Sequence, residues 1–306
     1  MAHEGSTKAI IAALLANLGI AITKFIAYVF SGSASMLAES VHSLADSGNQ
    51  LLLILGGNRA RKEATAEHPF GYGRSRYVFA FIVSVVLFTV GGMFSLYEGI
   101  EKLSHPHELT NVWIPILVLV VAIGLESFSL ATAIHESRKV KGNQTWVQFV
   151  KRAKAPELPV VLLEDVAALL GLILALAGVG LATLTGNPIF DAYGTLAIGA
   201  LLIVVAVILG LEMGSLLIGE GASTEDVAAI RKAMVSTAGV MGVIHFKTLY
   251  VGPEELMVAA KIAIQANESG EQIAKIIDAT EAEIRNKVPA AKLIYIEPDI
   301  LRSTSV

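Results

Sequence analysis

The chain contains no cysteine among its 306 residues. Disulfides and thiolate ligands are therefore excluded, and any metal site must be built from imidazole and oxygen donors. Charge is scarce too: 16% of residues are Asp, Glu, Lys or Arg, and aromatic residues make up only 7%. Hydrophobic residues account for 54%, and the mean hydropathy is +0.64. That balance is too apolar for a soluble domain of this size and implies a membrane protein. The formal net charge of −4 carries no argument for a nucleic-acid partner. The N-terminal apolar run is too long for the core of a signal peptide and has no clear cleavage site, so no cleaved leader is expected.

Six long apolar runs are present, at roughly Thr7–Phe30, Ala34–Asn58, Tyr77–Leu103, Val112–Ser137, Leu158–Thr185 and Pro188–Leu217. Each is long enough for a transmembrane helix. The link Ser31-Gly32-Ser33 is so short that the first two spans must form a tight hairpin. Arg59, Arg61, Lys62, Arg74 and Arg76 follow the second span, and Arg138, Lys139, Lys141, Lys151, Arg152 and Lys154 follow the fourth. The alternate loops are nearly free of basic residues. By the positive-inside rule the basic loops and both termini face the cytoplasm or its topological equivalent.

After Gly221 the composition becomes that of an ordinary soluble domain. Ser223-Thr224-Glu225-Asp226 marks a helix start, and the helix runs to about Thr237. Val243–Val251 and Leu256–Ile264 read as a hairpin turning at Gly252-Pro253-Glu254-Glu255. Ser269 and Gln272 form a capping box for a helix to about Lys287, and Lys292–Ile296 is a last strand. The expected fold class is a six-helix transmembrane domain, residues 1–220, followed by a cytoplasmic α+β domain of ferredoxin-like type, residues 221–306. A domain of that size is small for a single core and is expected to pack against a second copy. Arg302–Val306 is expected to fray.

The second apolar run is interrupted by polar residues in a regular pattern. His42 and Asp46 stand four residues apart and share one face of a helix. Ser35, Glu39 and Asn49 fall near that face, forming a polar stripe. An Asp at membrane depth costs about 2.5–3.5 kcal/mol on the insertion scale, so such groups usually line an ion path. The fifth run carries Glu164-Asp165. Neighbours on a helix lie about 100° apart, so only one of the two can point squarely at the second span. His42, Asp46 and one of these carboxylates make a nitrogen–oxygen set suited to a divalent metal. Interhelical hydrogen bonding that merely joins the bundle is the competing reading. Among the other charged residues in spans, Lys24 is expected to be structural, by pairing with a carboxylate or snorkelling. Glu126 suits a proton relay or a structural hydrogen bond. Glu98 and Asp191 are expected at the interface, and Trp113 and Trp146 as interfacial anchors.

Asn17 to Lys24, the run Ser31-Gly32-Ser33-Ala34-Ser35-Met36-Leu37-Ala38-Glu39, and His42-Ser43-Leu44-Ala45-Asp46 resemble the cation diffusion facilitator family of metal–proton antiporters. The resemblance covers nearly the whole chain, including the Gly71-Tyr72-Gly73-Arg74 turn, and Leu162-Leu163-Glu164-Asp165 looks most like the zinc transporter 9 branch. It implies export of a divalent cation, Zn2+ foremost, in exchange for protons by alternating access. It also implies a homodimer, no enzymatic activity and no prosthetic group. The family's span-two ligands fall on His42 and Asp46, and its second span-five ligand falls on Asp165. The first span-five ligand falls on Val161, which cannot coordinate metal. Glu164 is the preferred substitute, with Glu39, one turn above His42, or water as the alternatives. A loop site reduces to His68, because Tyr72 occupies a usual histidine position. A cytoplasmic-domain site reduces to His245 and Glu297, so that domain is not expected to sense metal. The chain is placed as a multi-pass protein of a bacterial inner (plasma) membrane.

The chemistry is consistent with that reading. Metal binding needs neutral imidazole and ionised carboxylates, so it releases protons. An ordinary histidine titrates at about 6.5, within reach of physiological pH. Imidazole favours zinc over manganese or magnesium, although cobalt, nickel or iron also suits the donor set. Two other classes stay open: a metal-binding membrane sensor or scaffold that moves nothing, and an intramembrane hydrolase using Asp46 and Asp165 as an aspartyl pair.

Overall fold

The computed structural model describes residues 2–300, with side chains from Asn17 onward. The expected frayed tail, Arg302–Val306, lies outside the described residues. The chain forms two compact units, one of residues up to Gly57 with Tyr77–Gly214, the other of Asn58–Arg76 with Ser215 onward.

The first unit is helical. In chain order it contains α1 (Ala2–Ser31), most of α2 (Ala34–Ala60), α3 (Ser75–Val86), a π-helical segment (Leu87–Met93), α4 (Phe94–Ser104), α5 (Trp113–Lys141), α6 (Trp146–Arg152), α7 (Glu157–Thr185) and α8 (Ile189–Ile218). The α3–π–α4 stretch runs continuously from Ser75 to Ser104; with α5, α7 and α8 it gives, among the described residues, four helices long and apolar enough to cross a membrane. In α2 the stripe of Ser, Glu, His, Asp and Asn residues interrupts the apolar length. The described part of α1 that is apolar, Asn17–Ser31, is shorter than a full span. Outward-facing side chains such as Leu117, Phe128 and Leu184 are 66%, 77% and 85% exposed, an apolar coat suited to lipid.

Helices in lipid gain little from hydrophobic burial against one another, so small residues that allow close backbone approach dominate their contacts. Gly92 of the π segment meets α8: a Cβ there would fall 2.5 Å from Ile203 Cγ1 and 3.3 Å from the carbonyl oxygen of Gly199. Gly178 of α7 and Gly194 of α8 form a similar contact, where a Cβ on either would lie 3.2 Å from the other's Cα. The π segment contains the tandem Gly91-Gly92, which weakens the regular α-helical ladder. It sets Gly91 opposite α2, where an added Cβ would stand 3.9 Å from His42 Nδ1.

Short α6, absent from the sequence reading, starts at Thr145 with a capping box: Gln148 N donates to Thr145 Oγ1 at 3.2 Å, and Thr145 N to Gln148 Oε1 at 3.0 Å. Trp146 sits on its first turn.

The second unit has the expected order: α9 (Thr224–Ser236), β1 (Gly242–Gly252), β2 (Glu255–Ala263), α10 (Gly270–Lys287) and β3 (Ala291–Asp299). β1 and β2 pair antiparallel, and β2 and β3 pair parallel across the α10 crossover, giving sheet order β1-β2-β3. Leu256, Val258, Ala260 and Ile262 alternate along one face of β2 and pack with Ile230, Met234, Ile276 and Ile284 of the two helices. Each such fully buried aliphatic chain contributes about 1.5–3 kcal/mol. Ser269 caps α10 with Gln272, as the sequence signals. The loop Asn58–Arg76 belongs to this unit because two glycines meet: a Cβ on Gly73 would stand 2.9 Å from Gly252 Cα.

Candidate metal centre

The polar face of α2 is anchored first at its N-terminus. A helix start leaves amide N–H groups without partners, and a carboxylate there satisfies them and complements the helix dipole. The carboxylate comes from α8. Asp191 Oδ2 accepts from Ala34 N at 2.8 Å, and Oδ1 accepts from Ser33 Oγ at 2.8 Å and Ser35 N at 3.4 Å. Asp191, in the first turn of α8, is fully buried and caps α2 from a different helix. Ser35 Oγ bonds the backbone oxygen of Asp191 and lies 3.0 Å from Thr195 Oγ1. Lys102 Nζ donates to Gly32 O at 2.9 Å, and Thr110 N to Ser31 O at 3.0 Å, fixing the α1–α2 hairpin.

Below this cap the candidate ligands descend one helix face. Glu39 is buried; its Oε2 accepts from Lys24 Nζ of α1 at 2.9 Å. Lys24 therefore pairs with a carboxylate rather than snorkelling. His42 is 1% exposed, and its Nδ1 lies 3.5 Å from Asp46 Oδ1. That contact is too long to be a good hydrogen bond. Asn49, one turn further, donates from Nδ2 to Glu164 Oε1 of α7 at 2.7 Å, both side chains buried. Asp165 turns to a different neighbour: its Oδ2 accepts from Ser129 Oγ of α5 at 3.0 Å. The adjacent pair thus splits, with Glu164 facing α2 and Asp165 facing α5. Val161, where a family ligand is missing, joins a small apolar cluster with Ala133, Phe149 and Leu162.

Several atoms of this stripe have no partner. Glu39 Oε1, both ring nitrogens of His42, Asp46 Oδ1 and Asn49 Oδ1 are buried without a hydrogen bond. An unsatisfied buried polar group costs about 1–3 kcal/mol, so their concentration on one helix needs a reason beyond packing. Among the described residues, no three His, Asp or Glu side chains converge closely enough to hold a metal ion. The carboxylates are spread among partners: Glu39 with Lys24, Glu164 with Asn49, Asp165 with Ser129.

The accessory positions are unlike metal sites. His68 is exposed in the 58–76 loop and meets the Tyr72 ring edge-on at 4.5 Å. In the sheet, His245 pairs with Lys261, and Lys261 pairs with Glu297. Lys261 Nζ lies 2.9 Å from Glu297 Oε1 and 3.0 Å from Asp299 Oδ2. An ammonium between the histidine and the carboxylates is a poor place for a cation.

Two residues in this neighbourhood were not singled out by sequence. Ser129 reads as one more small polar residue in a span. Gly171 of α7 gives no signal, yet a Cβ there would stand 2.6 Å from Glu39 Oε1.

A helical bundle with an orphaned imidazole and buried carboxylates on facing helices defines a multi-pass membrane protein with an intramembrane ionisable site. The chain belongs to the cation efflux family: the model described as Cation efflux transmembrane domain matches residues 10–218, and that described as Cation efflux protein, cytoplasmic domain matches residues 222–299. Among its relatives, "Proton-coupled zinc antiporter SLC30A9, mitochondrial" of Xenopus laevis is 34% identical over 265 residues, covering 86% of this chain and 47% of that protein. The Homo sapiens protein of the same name is 31% identical, covering 85% of this chain and 46% of that one. "Metal tolerance protein C4" of Arabidopsis thaliana is 30% identical over 85% of this chain and 57% of its own length. The chain thus spans about half the length of the first two relatives. A solved structure of the MamM CTD in its nickel form aligns with 22% identity and a TM-score of 0.25, covering 26% of this chain and all of that one.

Proposed function

We propose that this chain is a divalent-cation/proton antiporter that takes zinc from the cytoplasmic side and releases it across the membrane by alternating access. The observation that carries the reading is His42: an imidazole buried in a membrane helix with neither nitrogen bonded, on the same face as Asp46, in a helix whose Asn49 bonds Glu164 of α7. An unpartnered neutral imidazole is a ready metal ligand, and it favours zinc over manganese or magnesium. The relatives named as zinc antiporters support the same cargo.

The ligands are His42 and Asp46 from α2, with Asp165 and Glu164 from α7. Glu39 is held in reserve by Lys24. Loading the site opens the Asn49–Glu164 or Ser129–Asp165 hydrogen bond, so ion binding is coupled to the α2–α7 and α5–α7 contacts. Protons compete for the same donors, which makes the exchange an antiport. The chain carries no prosthetic group and catalyses no reaction. Its residues 221–306 hold two copies together as a homodimer. The basic loops support a topology with both termini on the cytoplasmic side or its topological equivalent, and the membrane we assign is a bacterial inner membrane.

The test is zinc flux and zinc-dependent proton release in proteoliposomes, for the native chain, Asp46→Ala, Asp165→Ala and His42→Ala. Flux lost in the variants with helicity retained supports the reading. Zinc bound but not moved by the native chain turns it into a sensor or scaffold. Zinc flux at the native rate in His42→Ala defeats the site. Cleavage of a model membrane peptide, abolished in Asp46→Ala, would instead support the hydrolase.

A further inference from the structure

Lys24 lies in the described part of α1 with 3% of its surface exposed. Its ammonium donates to Glu39 Oε2 at 2.9 Å and to Ser43 Oγ at 2.7 Å. These two α2 residues bracket His42 in sequence. The other carboxylate oxygen, Glu39 Oε1, has no hydrogen-bond partner. It points at Gly171, whose missing Cβ leaves the room it occupies. A carboxylate one turn from an unpartnered imidazole has the chemistry of a metal ligand. Here it is already taken by a cation that the chain supplies itself.

We propose that Lys24 is a positioning residue whose tethered ammonium holds Glu39 out of the coordination of the transported ion, keeping the His42 site weak enough to release its cargo. The inference rests on the reading of the chain as a cation carrier. A transport site must bind well enough to load and weakly enough to empty. His42 and Asp46 with the α7 carboxylates already supply a sufficient donor set. A further ionised carboxylate one turn away deepens that well. Lys24 cancels its charge and engages one of its oxygens. Stability alone is a weak reason for the pair, because a buried ion pair is often no more stabilising than apolar residues of the same volume. Its position beside His42 is the better reason.

The experiment titrates zinc and cobalt calorimetrically into the purified full chain in detergent, and measures zinc KM and kcat in proteoliposomes. The variants are Lys24→Met, Lys24→Arg, Glu39→Gln and the double Lys24→Met/Glu39→Gln. Lys24→Met is expected to bind zinc about tenfold more tightly and to turn over more slowly, lowering KM and kcat together. The double variant is expected to return to native affinity, because no carboxylate is left to be freed. Lys24→Arg keeps the cation and is expected to resemble the native chain. Should Lys24→Met not fold, Glu39→Gln decides: its unpaired ammonium is expected to weaken zinc binding about tenfold, and the double variant to restore it. Native affinity in folded Lys24→Met, a gain that persists in the double variant, or a double variant weaker than native overturns the proposal. So does a complete absence of metal binding in both the native chain and Lys24→Met. A native chain that binds zinc but moves none defeats the carrier reading, and the binding comparison still decides what Lys24 does to Glu39.

Discussion

Asn49 of α2 hands its side-chain amide to Glu164 of α7, Nδ2 to Oε1, at 2.7 Å with both side chains buried. Removing one partner of a buried hydrogen bond leaves the other unsatisfied, at a cost of about 1–3 kcal/mol. Asn49→Ala is therefore expected to lower thermal stability by an amount of that order. Glu164→Gln keeps the volume and is expected to cost less stability while weakening zinc binding at least about tenfold. Calorimetric titration of both variants, with thermal melts, separates the two roles. Native zinc affinity in Glu164→Gln removes Glu164 from the ligand set.

The cap on α2 makes a second expectation. Asp191 serves Ser33, Ala34 and Ser35 at once. Removing a helix N-cap costs about 0.5–2 kcal/mol. Asp191→Ala is expected to fall at the upper end, because the groups it leaves are buried. The melting temperature of the purified chain measures it; an unchanged value would show that water or a neighbour takes over the cap.

Tight glycine contacts give a third. Gly92→Ala places a methyl 2.5 Å from Ile203 Cγ1 and 3.3 Å from Gly199 O. Overpacking of this kind costs about 1–3 kcal/mol. Gly180→Ala is the control, since a Cβ there meets nothing within 4 Å. Gly92→Ala is expected to melt lower than the native chain and Gly180→Ala to match it.

The C-terminal sheet supplies the pH expectation. Hydrogen bonds that the Lys261 ammonium donates to Glu297 and Asp299 raise it above the ordinary lysine range. A group whose folded value is raised contributes stability that is complete below its unfolded value and is lost as pH climbs through the folded one. The Lys261 contribution is thus complete at neutral pH, begins to fall above about pH 10.4, the ordinary lysine value, and is lost as pH climbs through the raised folded value. The site is solvated, so the effect is small. Melts of native and Lys261→Met chains between pH 7 and pH 11 are expected to differ slightly at neutral pH and to converge at the alkaline end.

Much of this was legible in the chain. Helix length and strand alternation are written in local periodicity, so the long helices and the α-β-β-α-β order of residues 224–299 follow from the residues alone. The capping box at Ser269 and Gln272 is likewise a contact between near neighbours. So is the alignment of His42 with Asp46, because i and i+4 share a face whatever surrounds the helix. The π segment was less visible: Gly91-Gly92 weakens a helix, but packing against α8 decides that the ladder slips there.

What the sequence by itself determined is therefore the long helices, the order of elements in residues 224–299 and the polar face of α2. The tertiary structure alone decided which partner each charge takes. Asp191 meets α2 across 157 residues of chain, Glu164 meets Asn49 across 115, and Lys24 meets Glu39 across 15. No local rule distinguishes Glu164 from Asp165, since either could face inward until α5 and α7 are packed. The reason is physical. Helix formation depends on each residue's near neighbours, whereas a buried charge is placed by whichever group on another helix first meets it as water is excluded.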